Sequence, residues 1–404
     1  MNQQKIEITR LNHTGEGIGT LDGKIIFVSK AIPGDVIIPN EIKDHGNYLQ
    51  TTIQKIDTLS PKRQTISCPY YEKCGGCHLL GLSYQNQLSY KQEKVKNILQ
   101  KYASISVNPD IVEGESFYYR NKITLQVKNG RIGLYEINSN NLVPIKQCLL
   151  VTKPINQLLL WLVENLKETE LKKVKQIVIR ETSGQVMIQF LGYIDLKDKI
   201  NVLLEKTNSI YVNDKLIAGL PKIEEHLGNY VFAISPNSFF QVNHNQTIKL
   251  YDQAKEYLGT NNNRILDLYC GTGTIGIYVS EGCNKITGIE VNSSSVADAR
   301  MNIQRNNLKN IQVLEGKVEN HLTTGPKYDA IIVDPPRSGL DKKTKKLLTT
   351  IKSPKIIYIS CDPITLARDI RDLEQEYQLE KIKLIDMFPN TYHVECVTWL
   401  SLKK

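Results

Sequence analysis

The sequence lacks any long apolar run. None of its apolar stretches approaches the ~18 residues that a helix needs to span a membrane, which argues against transmembrane helices. The first ten residues, MNQQKIEITR, contain no apolar segment like that of a secretory signal. We also find no internal repeat and no low-complexity tract. We therefore expect a cytoplasmic protein with no membrane partner, and a monomer is the default expectation.

The composition is that of an ordinary globular protein. Apolar residues make up 41% and charged residues 23% of the 404 positions, enough for two or three domains with sizeable cores. Fifty-one Lys and Arg against 42 Asp and Glu give a net charge of +9. This excess is compatible with a polyanionic partner such as nucleic acid, although many enzymes carry a similar surplus for solubility alone.

Composition and periodicity divide the chain into three parts. Residues 1–58 alternate apolar and polar residues between glycines, which predicts an OB-like β-barrel with hairpin signals such as LDGK. Residues 67–234 mix strand and helix patterns and predict an α+β domain, whose helix near 84–103 is a candidate for packing on the next domain. Residues 235–404 alternate strands and helices, which predicts a Rossmann-like α/β domain with a parallel sheet. The short connection PNTYH can only form a hairpin, so we expect the last of seven strands to be antiparallel, as in many methyltransferases.

A glycine-rich loop indicates a nucleoside cofactor. Gly271, Gly273 and Gly276 follow a predicted strand in G-x-G-x-x-G spacing, and Glu290 ends the next strand, where a carboxylate can accept hydrogen bonds from ribose hydroxyls. Asp267 precedes the loop and suits the ammonium group of S-adenosylmethionine. A dinucleotide-dependent dehydrogenase remains the alternative, but we find no site for hydride transfer.

Three reactive side chains are expected at one edge of this sheet. Asp334 and Cys361 each end a predicted strand, and Glu395 begins the antiparallel one, so all three should lie beside the cofactor loop. Asp362 is a good N-cap and Pro363 suits the first helical position, so Cys361 should lie at a helix N-terminus that favours its thiolate. The alternative is a buried structural cysteine.

Four other cysteines predict a metal centre. In a reducing compartment, eight cysteines argue for metal binding or catalysis rather than disulfides. Cys68, Cys74 and Cys77 follow the pattern C-x5-C-x2-C, and Cys148 lies in PIKQCLL. On spacing alone, four thiolates suit Zn²⁺ or a [4Fe–4S] cluster equally well.

Several motifs together resemble one enzyme family. FFQVN, the glycine loop, DPPRSGL, SCDP and HVEC occur in the order found in bacterial RNA uracil-C5-methyltransferases. The chain is similar over nearly its whole length to the branch that forms 5-methyluridine in 23S ribosomal RNA. That branch carries an N-terminal TRAM domain and an iron–sulfur cluster, so the resemblance implies a TRAM-like barrel and a [4Fe–4S] cluster on the four cysteines.

The resemblance also implies a mechanism and the residues that perform it. Cys361 is expected to add to C6 of a uracil, C5 then attacks the methyl group of S-adenosylmethionine, and Glu395 accepts the C5 proton. Phe239 is expected to stack on the target base. The positions that match cofactor contacts are Gln241, Tyr269, Gly271, Gly273, Thr274, Glu290 and Asp334. Relatives often carry asparagine at the position of Thr274.

Alternatives remain at this stage. Related enzymes modify a uridine of the tRNA T-loop, and a catalytically inactive RNA-binding iron–sulfur protein would retain the same folds. Two other classes of methyltransferase fit the motifs less well. Adenine-N6 enzymes usually have an aromatic residue at the position of Arg337, and cytosine-C5 enzymes typically have a proline at the position of Ser360.

Overall fold

The structure is a computed structural model and describes residues 4–260, 262–321 and 327–404. In this part of the chain no helix is both long and apolar enough to cross a lipid bilayer.

The N-terminal region folds as one seven-stranded sheet. Its order is β1-β5-β7-β4-β3-β2, with β6 paired to β7. The chain from Ile6 to Leu11 pairs first with β5 and then with β3, so a single bent segment joins the two ends of the sheet. Asp22 and Gly23 both have positive φ in the tight LDGK hairpin, as the sequence predicts. The strands are β1 (Ile6–Glu7), β2 (Arg10–Leu11), β3 (Gly17–Leu21), β4 (Lys24–Ser29), β5 (Val36–Pro39), β6 (Lys43–Asp44) and β7 (Leu49–Thr58).

The central region is a second seven-stranded sheet covered by helices. Its order is β11-β10-β9-β12-β13-β14-β15, and its apolar face packs against the buried leucines of α2. The hairpin β16–β17 is separate from this sheet and buries its side chains in the core of the next domain. The elements are α1 (Tyr84–Ala103), β8 (Asp110–Val112), β9 (Lys122–Lys128), β10 (Arg131–Tyr135), β11 (Leu142–Pro144), α2 (Lys153–Asn165), α3 (Glu168–Leu171), β12 (Val174–Thr182), β13 (Gln185–Gly192), α4 (Ile200–Leu204), β14 (Ser209–Val212), β15 (Lys215–Gly219), β16 (Ile223–Leu227) and β17 (Tyr230–Ile234).

The C-terminal region is an α/β domain with an open sheet. The strand order is β20-β19-β18-β21-β22-β24-β23, with β24 antiparallel to both of its neighbours, as predicted. The strands are β18 (Asn262–Leu268), β19 (Cys283–Glu290), β20 (Ile311–Glu315), β21 (Ala330–Val333), β22 (Lys355–Ser360), β23 (Tyr377–Ile385) and β24 (Glu395–Leu402). The helices are α5 (His244–Leu258), α6 (Thr274–Tyr278), α7 (Ser293–Arg305), α8 (Val318–His321), α9 (Lys342–Ile351) and α10 (Pro363–Leu373).

Two elements before the central sheet belong structurally to this C-terminal domain. The strand β8 pairs in parallel with β23 and makes the sheet eight-stranded rather than seven-stranded as expected. The helix α1 packs on α10 and buries Val95 and Leu99 in the same apolar core as Leu366. Sequence reasoning missed β8 because a strand of three residues carries too little periodicity to be recognised.

A buried ion pair fastens α1 to the C-terminal domain. The side chains of Lys91 and Asp386 are both fully buried and hydrogen-bonded to each other, and Lys91 Nζ also donates to the carbonyl of Phe388 at 3.0 Å. The Tyr84 hydroxyl donates to the second oxygen of Asp386 at 2.9 Å. The acid therefore depends on partners from α1.

We expect Lys91→Met to lower the free energy of unfolding by about 3–5 kcal/mol, because it leaves Asp386 buried without its counter-charge. Denaturant unfolding measures the loss. Lys96→Met, at an exposed position of the same helix, is the matched control and should change stability by less than about 0.5 kcal/mol. Equal losses in the two variants would show that the buried pair is not what fastens α1.

Candidate active site

The carboxyl edge of the C-terminal sheet brings Cys361, Asp334 and Glu395 together. Asp334 follows β21 and Cys361 follows β22, which are parallel neighbours. Because Ser360 pairs with Cys396 in the antiparallel register of β22 and β24, Glu395 lies beside Cys361. Glu395 is 4% exposed. The predicted convergence of a thiol and two carboxyls is therefore present.

The helix that follows Cys361 starts as the sequence predicts. The Asp362 side chain caps α10 by accepting hydrogen bonds from the backbone N–H groups of Ile364 at 2.8 Å and Thr365 at 3.1 Å, and Pro363 is the first helical residue. Cys361 stands just before this N-terminus and is half-buried.

The prediction that this position favours the thiolate is wrong for the protein alone. Burial, followed by the charges of Glu395 and Asp334, raises the pKa of the Cys361 thiol to about 12. Arg337 acts in the opposite direction. Arg368 of α10 instead donates to Asp369 and to the carbonyl of Ser338. Two adjacent carboxyls and burial thus outweigh the helix terminus.

The carboxyls share this apolar environment. Burial raises the pKa of Asp334 to about 7. Burial and the neighbouring Asp334 raise the pKa of Glu395 to about 8, while Arg337 lowers it. Above about pH 8 Glu395 is therefore an ionised and comparatively strong base, as a proton acceptor should be.

A cleft of about 460 Å³ opens at the ends of β18, β19 and β20. Tyr269 and Glu290, two of the predicted cofactor contacts, line it. Tyr269, Gly271 and Gly273 have φ values of 61°, 53° and 77°, which turn the chain away from β18 into the loop before α6. The Gly271 N–H donates to Glu290 Oε2 at 3.0 Å, which fixes the carboxylate at the rim of the cleft.

Asp267 presents a buried oxygen without a partner. Its Oδ2 accepts a hydrogen bond from the Gly276 N–H at 3.1 Å, whereas Oδ1 is buried and has no partner among the described residues. A Cβ at position 276 would approach Oδ2 to 2.9 Å, so glycine is needed there. Burial and Asp334 raise the pKa of Asp267 to about 8. An unsatisfied carboxyl oxygen at this depth suits a ligand that brings an ammonium group.

Five of the seven predicted cofactor residues do not line this cleft, namely Gln241, Gly271, Gly273, Thr274 and Asp334. The Thr274 hydroxyl is 3.1 Å from the Tyr251 hydroxyl, an interaction within the protein. The Gln241 side chain is buried and makes no hydrogen bond to any residue that the structure describes. Their contacts with a cofactor stay predictions.

A second cavity, of about 510 Å³, lies between the central and C-terminal domains. Phe239, 70% exposed, lines it together with Arg337 and His393. Its walls also contain four residues that sequence reasoning did not select as site residues, namely Arg120, Lys122, Arg180 and Phe388. A signal was present for Arg180, a charged residue in the otherwise apolar run IVIR.

All four cysteines of the predicted metal set line this same cavity. Burial and the other thiols of the set raise the pKa of Cys77, and also those of Cys74 and Cys148. In residues 4–260, 262–321 and 327–404 no group of three or more His, Cys, Asp or Glu side chains stands in metal-binding geometry. Four half-buried thiols on the wall of one cavity nevertheless fit a centre held by thiolates.

Lys30 connects the N-terminal sheet to the cysteine loop. Its Nζ donates to the carbonyls of Tyr71 and, at 2.9 Å, Cys74, and its side chain is buried. The buried side chain of Lys30 is therefore engaged within the protein and is not available for a contact with RNA. The sequence around Lys30 gives no sign that the cysteine loop, which comes later in the chain, will cover this residue.

Comparison with known proteins identifies the family. The model of the tRNA (uracil-5-)-methyltransferase family matches residues 83–325 and 323–403. The chain belongs to this family. Membership makes it an RNA methyltransferase acting at uracil C5 and confirms the prediction drawn from the motifs.

Individual relatives match over nearly the full length. An uncharacterized RNA methyltransferase of Bacillus anthracis is 33% identical, covering 98% of this chain and 96% of the relative. One of Clostridium tetani is 35% identical, covering 98% and 95%. The solved structure of the Pyrococcus abyssi tRNA (uracil-54, C5)-methyltransferase in complex with S-adenosyl-L-homocysteine has a TM-score of 0.80 and 30% identity, covering 99% of this chain and 100% of that one.

The raised thiol pKa gives a testable pH dependence for this methyltransferase. Below its pKa a thiol gains about tenfold in thiolate per pH unit, so alkylation of Cys361 by iodoacetamide should keep rising above pH 9. Peptide mass spectrometry measures the rate at Cys361 separately from the other cysteines. Glu395→Gln should speed alkylation at pH 9, because it removes a negative neighbour. A plateau of the wild-type rate below pH 9 would contradict the assigned environment.

Proposed function

We propose that the protein transfers a methyl group from S-adenosylmethionine to C5 of a uridine in 23S rRNA, in the cytoplasm and as a monomer. The juxtaposition of Cys361, Glu395 and Asp334 at the carboxyl edge of the C-terminal sheet is the observation that supports this most strongly. A thiol and a base side by side at this edge suit a reaction in which a nucleophile is added and a proton is then removed.

Each of the site residues is proposed to have a separate role in the reaction. Once deprotonated, Cys361 Sγ forms a bond to C6 of the uracil, and the ring becomes an enolate that is nucleophilic at C5. S-adenosylmethionine supplies an electrophilic methyl group. Glu395 then takes the proton from C5, and re-formation of the C5–C6 double bond breaks the bond to Sγ. Arg337 is the cation whose charge favours the thiolate.

We assign the cofactor to the cleft at the glycine loop. Asp267 is proposed to accept a hydrogen bond from the ammonium group, and Glu290 from the ribose hydroxyls. The other proposed contacts are Gln241, Tyr269, Gly271, Gly273, Thr274 and Asp334. Phe239 is proposed to stack on the flipped uracil, since its exposed ring lines the adjoining cavity.

We propose a [4Fe–4S] cluster on Cys68, Cys74, Cys77 and Cys148. The position of all four half-buried thiols on the wall of one cavity supports it, and methyl transfer itself needs no redox chemistry. Purified protein should contain about four irons and four sulfides per chain. Cys148→Ala should lose them, while Cys283→Ala, at a buried cysteine of β19, should not. One zinc per chain instead would replace the cluster assignment by a structural zinc site.

The N-terminal sheet is proposed to be a TRAM-like RNA-binding barrel. Arg10 and Lys43 are exposed on it and available for phosphate contacts. Lys5 and Lys24 are engaged with Asp57 and Asp44 in exposed pairs, which contribute little to stability and can exchange for phosphate.

A tRNA substrate is the second candidate, favoured by the name of the Pyrococcus abyssi enzyme. Methylation assays with transcribed 23S rRNA and with transcribed tRNA, followed by mapping of 5-methyluridine, distinguish the two. We expect incorporation at one or two uridines of the rRNA. Incorporation only into the tRNA T-loop would overturn the rRNA assignment and leave the chemistry unchanged.

A further inference from the structure

Three cationic side chains stand together on the central sheet, on the wall of the 510 Å³ cavity. Lys122 of β9 and Arg180 of β12 are direct partners in the antiparallel register, so their side chains point to the same face. Arg120 joins them, with its Nε donating to the carbonyl of Lys122 at 2.9 Å. All three line the cavity. Like charges directly opposite one another destabilise a sheet unless something compensates them.

Arg180 lacks a full set of partners. It is 4% exposed, and its Nη2 donates to the carbonyl of Ser238 at 3.0 Å. Its Nη1 is buried and has no partner among the residues that the structure describes. A buried charged donor left unpaired is costly. Ser238 immediately precedes Phe239, so this free donor lies next to the proposed position of the target base.

The described carboxylates do not fully neutralise the three cations. Glu225 is the carboxylate that favours the charged form of Arg180, but it also lies 3.0 Å from His244 Nδ1. No described residue accepts a hydrogen bond from Lys122 Nζ. Burial and the two arginines lower the pKa of Lys122 to about 8, and burial lowers that of Arg180 to about 10. The shift of Lys122 therefore reports the positive charge of the two arginines as well as burial, whereas that of Arg180 reports burial.

We propose that Arg180, Lys122 and Arg120 bind a phosphodiester group of the substrate RNA, at a linkage that flanks the target uridine. This inference rests on the proposed function, because it needs RNA in the cavity beside Phe239. An anion fits better than a carbonyl oxygen of the base, since one carbonyl would satisfy one donor and leave the excess charge in place. A phosphate accepts several charge-assisted hydrogen bonds at once.

The three cations, called the phosphate subsite below, position the RNA backbone. Replacing one of them should therefore weaken RNA binding rather than slow methyl transfer. For Arg180→Gln we expect about a tenfold higher Kd for the RNA at low salt. The slope of log K against log salt should also fall by about one phosphate contact. KM should rise while kcat changes little. Arg131→Gln, at an exposed arginine on the neighbouring strand β10, is the matched control and should change neither quantity.

A second variant is included so that the test does not depend on Arg180 alone. Lys122→Met should also lower the salt slope. Both variants should unfold at the wild-type temperature or above it, since each removes an unneutralised charge from a partly dry site. Unchanged salt slopes in both folded variants would overturn the proposal.

The substrate can be altered instead of the protein. A synthetic hairpin centred on the methylated uridine, with a neutral methylphosphonate at one flanking linkage, should bind wild type about tenfold more weakly. Arg180→Gln should show no further loss on that hairpin if the arginine contacts that linkage. If the losses caused by Arg180→Gln and by the methylphosphonate added up at every flanking linkage, the phosphate that Arg180 binds would lie elsewhere in the RNA. If wild type methylates no RNA at all, the proposed function fails, whereas normal wild-type methylation with unaltered variants refutes only the phosphate subsite.

Discussion

Replacing Cys361 by alanine is expected to lower methyl transfer to RNA by at least about 10⁴-fold. The reason is chemical: C5 of uracil is a poor nucleophile until a thiolate adds to C6 and pushes electron density onto C5. The variant should still fold, because Cys361 is only half-buried at the end of β22. Methyl incorporation and covalent trapping on RNA that contains 5-fluorouridine measure the effect.

The trapping assay is the sharper of the two measurements. Wild-type protein should form an adduct with 5-fluorouridine RNA that survives denaturing electrophoresis, because fluorine replaces the proton that Glu395 has to remove. Cys283→Ala, which alters a buried cysteine on β19 far along the strand from the reactive edge, should form it as wild type does. An adduct formed by Cys361→Ala would show that another nucleophile performs the addition.

Replacing Glu395 by glutamine is expected to lower turnover by about 10²–10⁴-fold and to leave the protein covalently attached to ordinary RNA. The amide keeps the shape and the burial of the carboxyl but accepts no proton, so the reaction stops after methyl transfer and before elimination. Electrophoresis under denaturing conditions should show this complex without any fluorinated base.

A carboxylate on the surface of the same domain supplies the control. Glu380→Gln, at an exposed position of β23, should turn over like wild type. Turnover of Glu395→Gln within tenfold of wild type, or loss of activity without an accumulated adduct, would assign the proton to a different acceptor. Asp334, whose pKa is also raised by burial to about 7, would then be examined in the same way.

Local signals in the sequence were sufficient to predict the strand and the helix start that position the site residues. The short connection before β24 forced an antiparallel strand, and this register is what places Glu395 beside Cys361. Asp362 and Pro363 specified the start of α10 through capping alone. Each of these features depends on residues adjacent in the chain, which is why a pattern could reveal it.

Features that depend on distant segments were not accessible in this way. The pKa of Cys361 is set by Glu395 and Asp334, which reach it only through the sheet, so the helix terminus alone gave the wrong direction. The pairing of Lys122 with Arg180 follows from a register between β9 and β12 that no local pattern specifies. Likewise, β8 is too short to be recognised and is stabilised by β23, more than two hundred residues later.

The central claim is that a uracil in RNA exchanges its C5 proton for a methyl group at this site. RNA transcribed with uridine tritiated at C5 tests it directly, with methyl transfer from S-adenosylmethionine and tritium release to water measured in the same reaction. We predict one tritium released for each methyl group incorporated. Methyl incorporation with full retention of tritium would place the methyl group on another atom and contradict the account.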